Sequence, residues 1–413
     1  MNNKRLPALI LAALMLAALL SGCGGETQQL SGGAPAPATP AAGSPEPSAP
    51  AETEQPTSEE SGEDTGSDSG IELGIHNAKN FSIEYMADGV KLVTDSEGSK
   101  LLLTPRGVTP PAGYEDAKQI AIPIEHAMYT STTFVGYIDA LEDVSVYNAV
   151  AAVTTAEDRW VNQHILDRFR DGTVRHIAQS HWDVGDIEEV VEVRPEIVFS
   201  GGGDESGLRL RGLLDEVNIE YATIMEHTEE GAFAKLEWIK FFAAFYNLDE
   251  KADSVYNAKT EQLRELEKMT EDIPAENRPI VAYGLLFNGV VWTRSGTSTM
   301  AQEIERAGGI YALSHIEGEG SVTISMEEFF DKCRNVDVLI YGSIMTPDKE
   351  FLLGEDPLFA EFDAFVNDRV FVFDQGFYMN SAKVVEQFED MVYMLHPELM
   401  PGHVTSMYVR LPG

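Results

Sequence analysis

Two stretches of this chain repeat one pattern. The first runs Asp186-Ile187-Glu188-Glu189-Val190-Val191-Glu192-Val193-Arg194-Pro195 and continues as Glu196-Ile197-Val198-Phe199-Ser200-Gly201. The second runs Ser325-Met326-Glu327-Glu328-Phe329-Phe330-Asp331-Lys332-Cys333-Arg334 and continues as Asn335-Val336-Asp337-Val338-Leu339-Ile340-Tyr341-Gly342. Each reads as a cap, an amphipathic helix and a buried strand ending at glycine. Glu188 and Glu327 hold the same place in the two copies, 139 positions apart. Two copies in two halves imply two similar lobes. Asp186 and Ser325 stand at the N-cap, so Glu189 and Glu328 fall at N3, where a carboxylate returns a bond to the cap. Glu188 and Glu327 fall at N2, outside that box. They either complement the helix dipole or leave one spare acid per lobe for a partner with two basic sockets.

The remainder of the body fits two α/β halves. Short apolar runs at 119–123, 196–201, 220–224, 280–286, 336–342 and 370–373 alternate with amphipathic helices, which predicts parallel α/β layers. One helix is predicted from Asp249, as its cap, to Ile273-Pro274, which ends it. Ala252, Val255, Tyr256, Leu263, Leu266 and Met269 make its apolar stripe. It would be about 35 Å long. Lying between two α/β patterns, it reads as a rigid connector, with an ordinary surface helix as the alternative. Before this body, residues 81–103 alternate and are broken at Asp88-Gly89 and Glu97-Gly98, as short β-hairpins do.

The amino terminus is read as a targeting segment. Lys4 and Arg5 precede an apolar run over 6–20 that is short for a bilayer span. Leu20-Ser21-Gly22-Cys23 looks like a lipobox, with cleavage before Cys23 and lipidation of its thiol; a plain signal peptide with a chance cysteine is the alternative. Residues 26–70 contain no Lys, Arg, Trp, Phe or Tyr. Such a stretch cannot repay its ordering entropy and is expected to be a disordered, extended leash. The expected organisation is a signal peptide over 1–22, a lipidated tether over 23–70, a β-hairpin extension over 71–118, a first lobe over 119–248, the connecting helix over 249–273 and a second lobe over 274–413.

Composition narrows the function. With 29 Lys and Arg against 68 Asp and Glu, the formal charge is −39, which excludes a nucleic-acid partner. Two cysteines support neither a disulfide scaffold nor a four-cysteine zinc site. Cys333 is read as a small buried hydrophobe. No Gly-x-Ser-x-Gly, phosphate-loop or His-Glu-x-x-His motif occurs, so the chain is not read as an enzyme.

The helix–strand pattern from Ile187 to Val198, together with Ala307-Gly308-Gly309, Ile324-Ser325-Met326-Glu327 and the central helix, resembles the substrate-binding lipoproteins of ABC importers. Within them it resembles the class that binds ferric siderophores, haem and vitamin B12. The chain departs from that pattern at Glu196, where Asp is usual, at Tyr311, where Asn is common, and at Val336, which lacks the preceding Pro. The resemblance implies two α/β lobes joined by a rigid helix, a ligand cleft between them and modest closure. It implies that Glu188 and Glu327 dock on arginines of a membrane permease, and through it an ATPase. It implies an extracytoplasmic, lipid-anchored monomer with no cofactor of its own. Its cargo would be a small metal chelate, a ferric siderophore first, with haem or cobalamin as alternatives. A zinc or manganese receptor and a surface adhesin are more distant readings.

Ligands of open α/β sheets lie beyond the carboxyl ends of the strands. That nominates His126, Tyr129, Thr130, His181 and Trp182 in the first lobe. In the second it nominates Phe287, Asn288, Trp292, Arg294, Tyr341, Phe377 and Tyr378. Aromatics with a few polar groups suit a large, partly apolar ligand. Arg294 reads either as a fork for an anion or as a surface arginine. His126 and His181 read as hydrogen-bonding rim residues rather than metal ligands.

Overall fold

Short β-branched and aromatic runs build three sheets in a computed structural model that describes residues 73–177, 186–203, 205–318, 320–345 and 347–412. Cys23, the signal and the leash lie outside the described residues, as do His181 and Trp182.

The first sheet is small. Strands β1 (Ser82–Tyr85), β2 (Lys91–Thr94) and β3 (Lys100–Pro105) form an antiparallel meander, and β4 (Lys118–Ile122) lies parallel to β3. The second sheet carries the first lobe. Its order is β7 (Arg175–His176), β6 (Val150–Val153), β5 (Ala127–Tyr129), β8 (Ile197–Gly201) and β9 (Tyr221–Ile224), all parallel. The third sheet carries the second lobe. Its order is β13 (Ser321–Ser325), β11 (Val290–Arg294), β10 (Ile280–Phe287), β14 (Val338–Tyr341), β15 (Val370–Phe373) and β16 (Tyr408–Arg410). Strand β12 (Ile310–Tyr311) pairs with β10 at its start.

One expected strand changes sheet. The run at 119–123 does not open the first lobe but closes the small sheet against β3. Its inward Ile120 and Ile122 join Leu101 and Leu103 in the main core. The true central strand of the first lobe is three residues long, too short to stand out as an apolar run. The small sheet has a second use. Asp95 Oδ2, in its β2–β3 turn, accepts the Thr223 amide at 2.9 Å, and the Ser96 amide donates to Thr223 O at 3.2 Å. The turn thereby covers β9, the edge strand of the first lobe, where unpaired amides would invite association.

Helices α1 (Thr132–Asp139), α2 (Ile187–Val193), α3 (Gly231–Ala244), α4 (Asp249–Thr270), α5 (Thr299–Arg306), α6 (Met326–Cys333) and α7 (Val384–Leu395) flank these sheets. Helix α3 carries apolar residues all round, broken by few charges, and is buried on nearly every side. Its Trp238 and Phe241 meet Phe81, and its Phe242 meets Phe199 edge-on at 5.2 Å. Helix α4 is the predicted connector, 22 residues long and so about 33 Å. Asp249 is its first residue, not its cap. The Asp249 carboxylate pairs with Lys91 at 2.6 Å and accepts from the Tyr85 hydroxyl at 3.3 Å. Met269 is exposed rather than part of the buried stripe. Cys333 is fully buried, and burial pushes its thiol up to about 12.

Two buried carboxylates on and before α3 hold the chain where the body begins. Glu237, with no exposed surface, accepts the amides of His76, Asn77 and Ala78 at 2.7–2.9 Å. Glu229 accepts those of Lys79 and Asn80. Lys240 pairs with Asp253 of α4 at 2.9 Å and donates to Gly74 O at 2.9 Å. This strap therefore ties residues 74–80 to α3 and α4 together. Removing one partner of such a network strands the others without water, which costs about 3–5 kcal/mol. Glu237→Ala is accordingly expected to lower unfolding free energy in urea by about 3–5 kcal/mol, with loss of hydrogen-exchange protection at His76–Ala78. A change below about 1 kcal/mol would show the strap to be dispensable.

Candidate functional site

In each lobe a helix starts at the carboxyl-end side of the sheet and leads into an inner strand. Helix α2 follows the parallel strand β7 and precedes β8; helix α6 follows β13 directly and precedes β14. Strand β13 runs parallel to β10, because both are antiparallel to β11. The two helices are thus equivalent, as the repeat implied. Ser325 Oγ accepts the Glu328 amide at 3.1 Å, the N3 bond expected of a cap. Asp186 Oδ1 accepts the Glu188 amide at 2.9 Å, one position earlier. The Glu188 and Glu327 side chains are exposed and make no ion pair among the described residues.

The second-lobe wall is set by an overlong hairpin. Strand β10 pairs with β14 only through Gly284, and Leu285–Phe287 run on beyond it. Asn288 and Gly289, at φ 52° and 77°, turn the chain into β11, as a tight two-residue hairpin requires. Asn288 is therefore an exposed hairpin tip, and the partly buried Phe287 stands beside it. Trp292 lies opposite Leu285 and Thr323. Arg294 is partly buried rather than a free surface residue; its Nη1 donates to Ser321 Oγ, and its guanidinium lies over the Tyr283 ring at 5.2 Å. Tyr341 is core: it is buried, donates to Leu286 O and meets Phe359 edge-on. Phe377 stacks on Phe373 at 3.9 Å, and Tyr378 meets both rings edge-on.

The first-lobe candidates separate. His126 is at the amino end of β5, the opposite edge from the carboxyl-end loops. It is exposed, its amide donates to Glu196 Oε2 and its carbonyl accepts from the Glu196 amide. It drops out of the cleft because the strand it was to follow belongs to another sheet. Tyr129 is sealed in the core, its hydroxyl bonded to that of Tyr246. Thr130 does lie at the carboxyl end, where its hydroxyl accepts the Gly201 amide at 3.2 Å and its carbonyl accepts from Thr154. Glu196 has its own explanation. Its carboxylate reaches Arg106 at 2.6 Å and the amides of Glu125 and His126. Partial burial pushes this carboxyl up, and those partners more than offset it, leaving its pKa below the ordinary value.

The lobes meet beside these residues. The 3₁₀ turn Tyr378–Asn380 packs on α1, where Ser381 Oγ donates to Thr133 O at 2.6 Å. Gly136 makes this possible: a methyl group there would overlap the Met379 carbonyl and come within 2.7 Å of Ser381 Oγ. Val161 approaches Gly376 from the first lobe in the same way. Next to it, an open surface depression of about 530 Å³ is lined by Glu157, Asp158, Trp160 and Leu166. Trp160 donates to Thr155 O at 3.0 Å. Sequence reading missed this loop because β6, which it follows, is only Val-Ala-Ala-Val.

Residues 136–376, more than half of the chain, match the family described as periplasmic binding protein. The chain belongs to the periplasmic binding protein family. Its sequence is 24% identical to an uncharacterized lipoprotein of Methanocaldococcus jannaschii over 78% of each chain. Its fold is similar to a periplasmic solute binding protein of Veillonella parvula, at TM-score 0.55 and 14% identity over 76% of this chain and 89% of that one. It is also similar to a periplasmic heme binding protein of Pseudomonas aeruginosa, at TM-score 0.53 and 14% identity over 70% and 98%. This is a family of binding proteins rather than catalysts, and this periplasmic binding protein has the two α/β lobes of its structural relatives.

The close approach at Gly136 is testable. Gly136→Ala is expected to lower stability by about 1–3 kcal/mol in urea unfolding. Gly212→Ala, in an open helical position, is expected to raise it by about 0.5–1 kcal/mol. Equal behaviour of the two would remove the lobe contact at Gly136.

Proposed function

We propose that this periplasmic binding protein is an extracytoplasmic receptor, anchored by lipid on Cys23, that captures a metal chelate between its lobes and delivers it to an ABC permease. A ferric siderophore is the cargo of first choice. The observation that carries the reading is the matched pair Glu188 and Glu327. Each is an exposed acid with no ion pair among the described residues, at the same place of a repeated helix, on the carboxyl-end side of its sheet. Capping uses Asp186 and Ser325 instead, which supports a role for these two carboxylates against basic sockets on a partner. Haem stands as the second cargo, since one structural relative is the periplasmic heme binding protein of Pseudomonas aeruginosa. Zinc or manganese capture has less support, because His126 lies at the far edge of its sheet.

The double variant Glu188→Ala, Glu327→Ala is expected to abolish chelate uptake in cells while leaving chelate affinity of the purified protein within about twofold, as surface changes away from a site do. Normal uptake would contradict the docking role. Loss of affinity would make the two residues structural.

A further inference from the structure

Arg294 and Trp292 share a feature that the fold does not use. They lie two residues apart on β11, hence on one face of the hairpin and roughly 7 Å apart along the strand. The Trp292 indole Nε1 is shielded from water and has no hydrogen-bond partner among the described residues. Arg294 gives N–H groups to Ser321 Oγ and to the Tyr283 side chain, over whose ring it lies, and so uses only part of its donors. No carboxylate lies within ion-pair distance of it among the described residues. A guanidinium carries five N–H donors and no acceptor, and an indole one donor and no acceptor. Leaving such donors unmet in a partly dry wall is unfavourable.

The surroundings hold the guanidinium without neutralising it. Tyr283 and Tyr378 are both close enough to interact with the Arg294 charge. Burial acts to lower the Arg294 pKa, which is nevertheless raised overall, and a guanidinium stays charged throughout the ordinary pH range. Tyr378 opens the 3₁₀ turn that packs on α1 of the first lobe. Arg294 therefore sits beside the seam between the lobes, and Trp292, opposite Leu285, on the part of the hairpin that outruns β14.

We infer that Arg294 and Trp292 form a donor subsite for a carboxylate, so that the cargo is a metal chelate bearing a free carboxylate group rather than a neutral one. The inference rests on the chelate-receptor reading above and narrows it. Guanidinium is suited to carboxylate because two parallel N–H groups match its two oxygens. The indole N–H then takes an oxygen of the same group or of a second one.

The test uses tryptophan quenching of the purified protein titrated with haem, ferric citrate, a ferric trihydroxamate and cyanocobalamin. Saturable binding of haem or ferric citrate is expected, with the trihydroxamate and the corrinoid at least tenfold weaker. Arg294→Ala is expected to weaken the carboxylate chelate about ten- to hundredfold and to flatten its salt dependence. Arg294→Lys, which keeps the charge and loses the fork, should fall between, and Trp292→Phe should weaken binding with no change in salt dependence. Circular dichroism of each variant checks the fold. Tight binding of a neutral chelate, undiminished in Arg294→Ala, would overturn the subsite and keep the receptor. No saturable binding by any of the four would overturn both.

Discussion

The connecting helix is fixed to the first lobe by ion pairs that water barely reaches, and both lobes take their positions from it. Lys91–Asp249 and Lys240–Asp253 have side chains between 4% and 12% exposed. The second-lobe end is held by Lys259–Glu386 and Arg306–Glu267, whose side chains are 20–34% exposed. Breaking a dry pair strands a buried charge and costs several kcal/mol, whereas a wet pair is worth about 0–1 kcal/mol. The dry pairs thus tie α4, the strap and the first lobe together, while the second lobe shares the continuous apolar core with α4 and packs its Tyr378–Asn380 turn on α1.

The strap also explains the buried charges of α3. A helix buried on every side ordinarily excludes charge. Glu237 and Lys240 remain because six residues at the start of the body have amides and carbonyls that find no sheet. The carboxylates act as the missing strand partner. Residues 74–80 therefore lie at the spine of the body, beside α3 and α4, while the Glu188 and Glu327 helices start at the carboxyl ends of the sheets.

Much of the architecture was legible in the sequence. The repeat around Glu188 and Glu327 predicted two lobes, and the capping residues Asp186 and Ser325 are where the pattern put them. The connector was read to within three residues of its end. Strands with long apolar runs, such as Val338–Tyr341 and Val370–Phe373, were found, but Ala127–Tyr129 and Val150–Val153 were not. Runs of three or four residues, mostly buried on both faces, carry no period, and their identity as strands is set by the neighbours they pair with. The site was less legible for the same reason. Placing the first strand at 119–123 pushed His126 into the cleft and hid the Trp160 loop. Phe287, Trp292 and Arg294 were named as loop residues after a strand; they belong instead to a hairpin that no alternation in 280–294 announced. Tyr341 was lost to the core because a strand-terminal aromatic can point to either face.

The central claim is that a small solute is held between the lobes and stabilises them together. The most direct measurement is the thermal unfolding of the lipid-free protein across a library of metal chelates. A cargo present at 100-fold over its dissociation constant adds about 2.7 kcal/mol to the folded state, so one chelate class should raise the midpoint in a saturable way while simple salts of the same metals do not. A midpoint unmoved by every chelate, in a protein that unfolds cooperatively, would contradict the account.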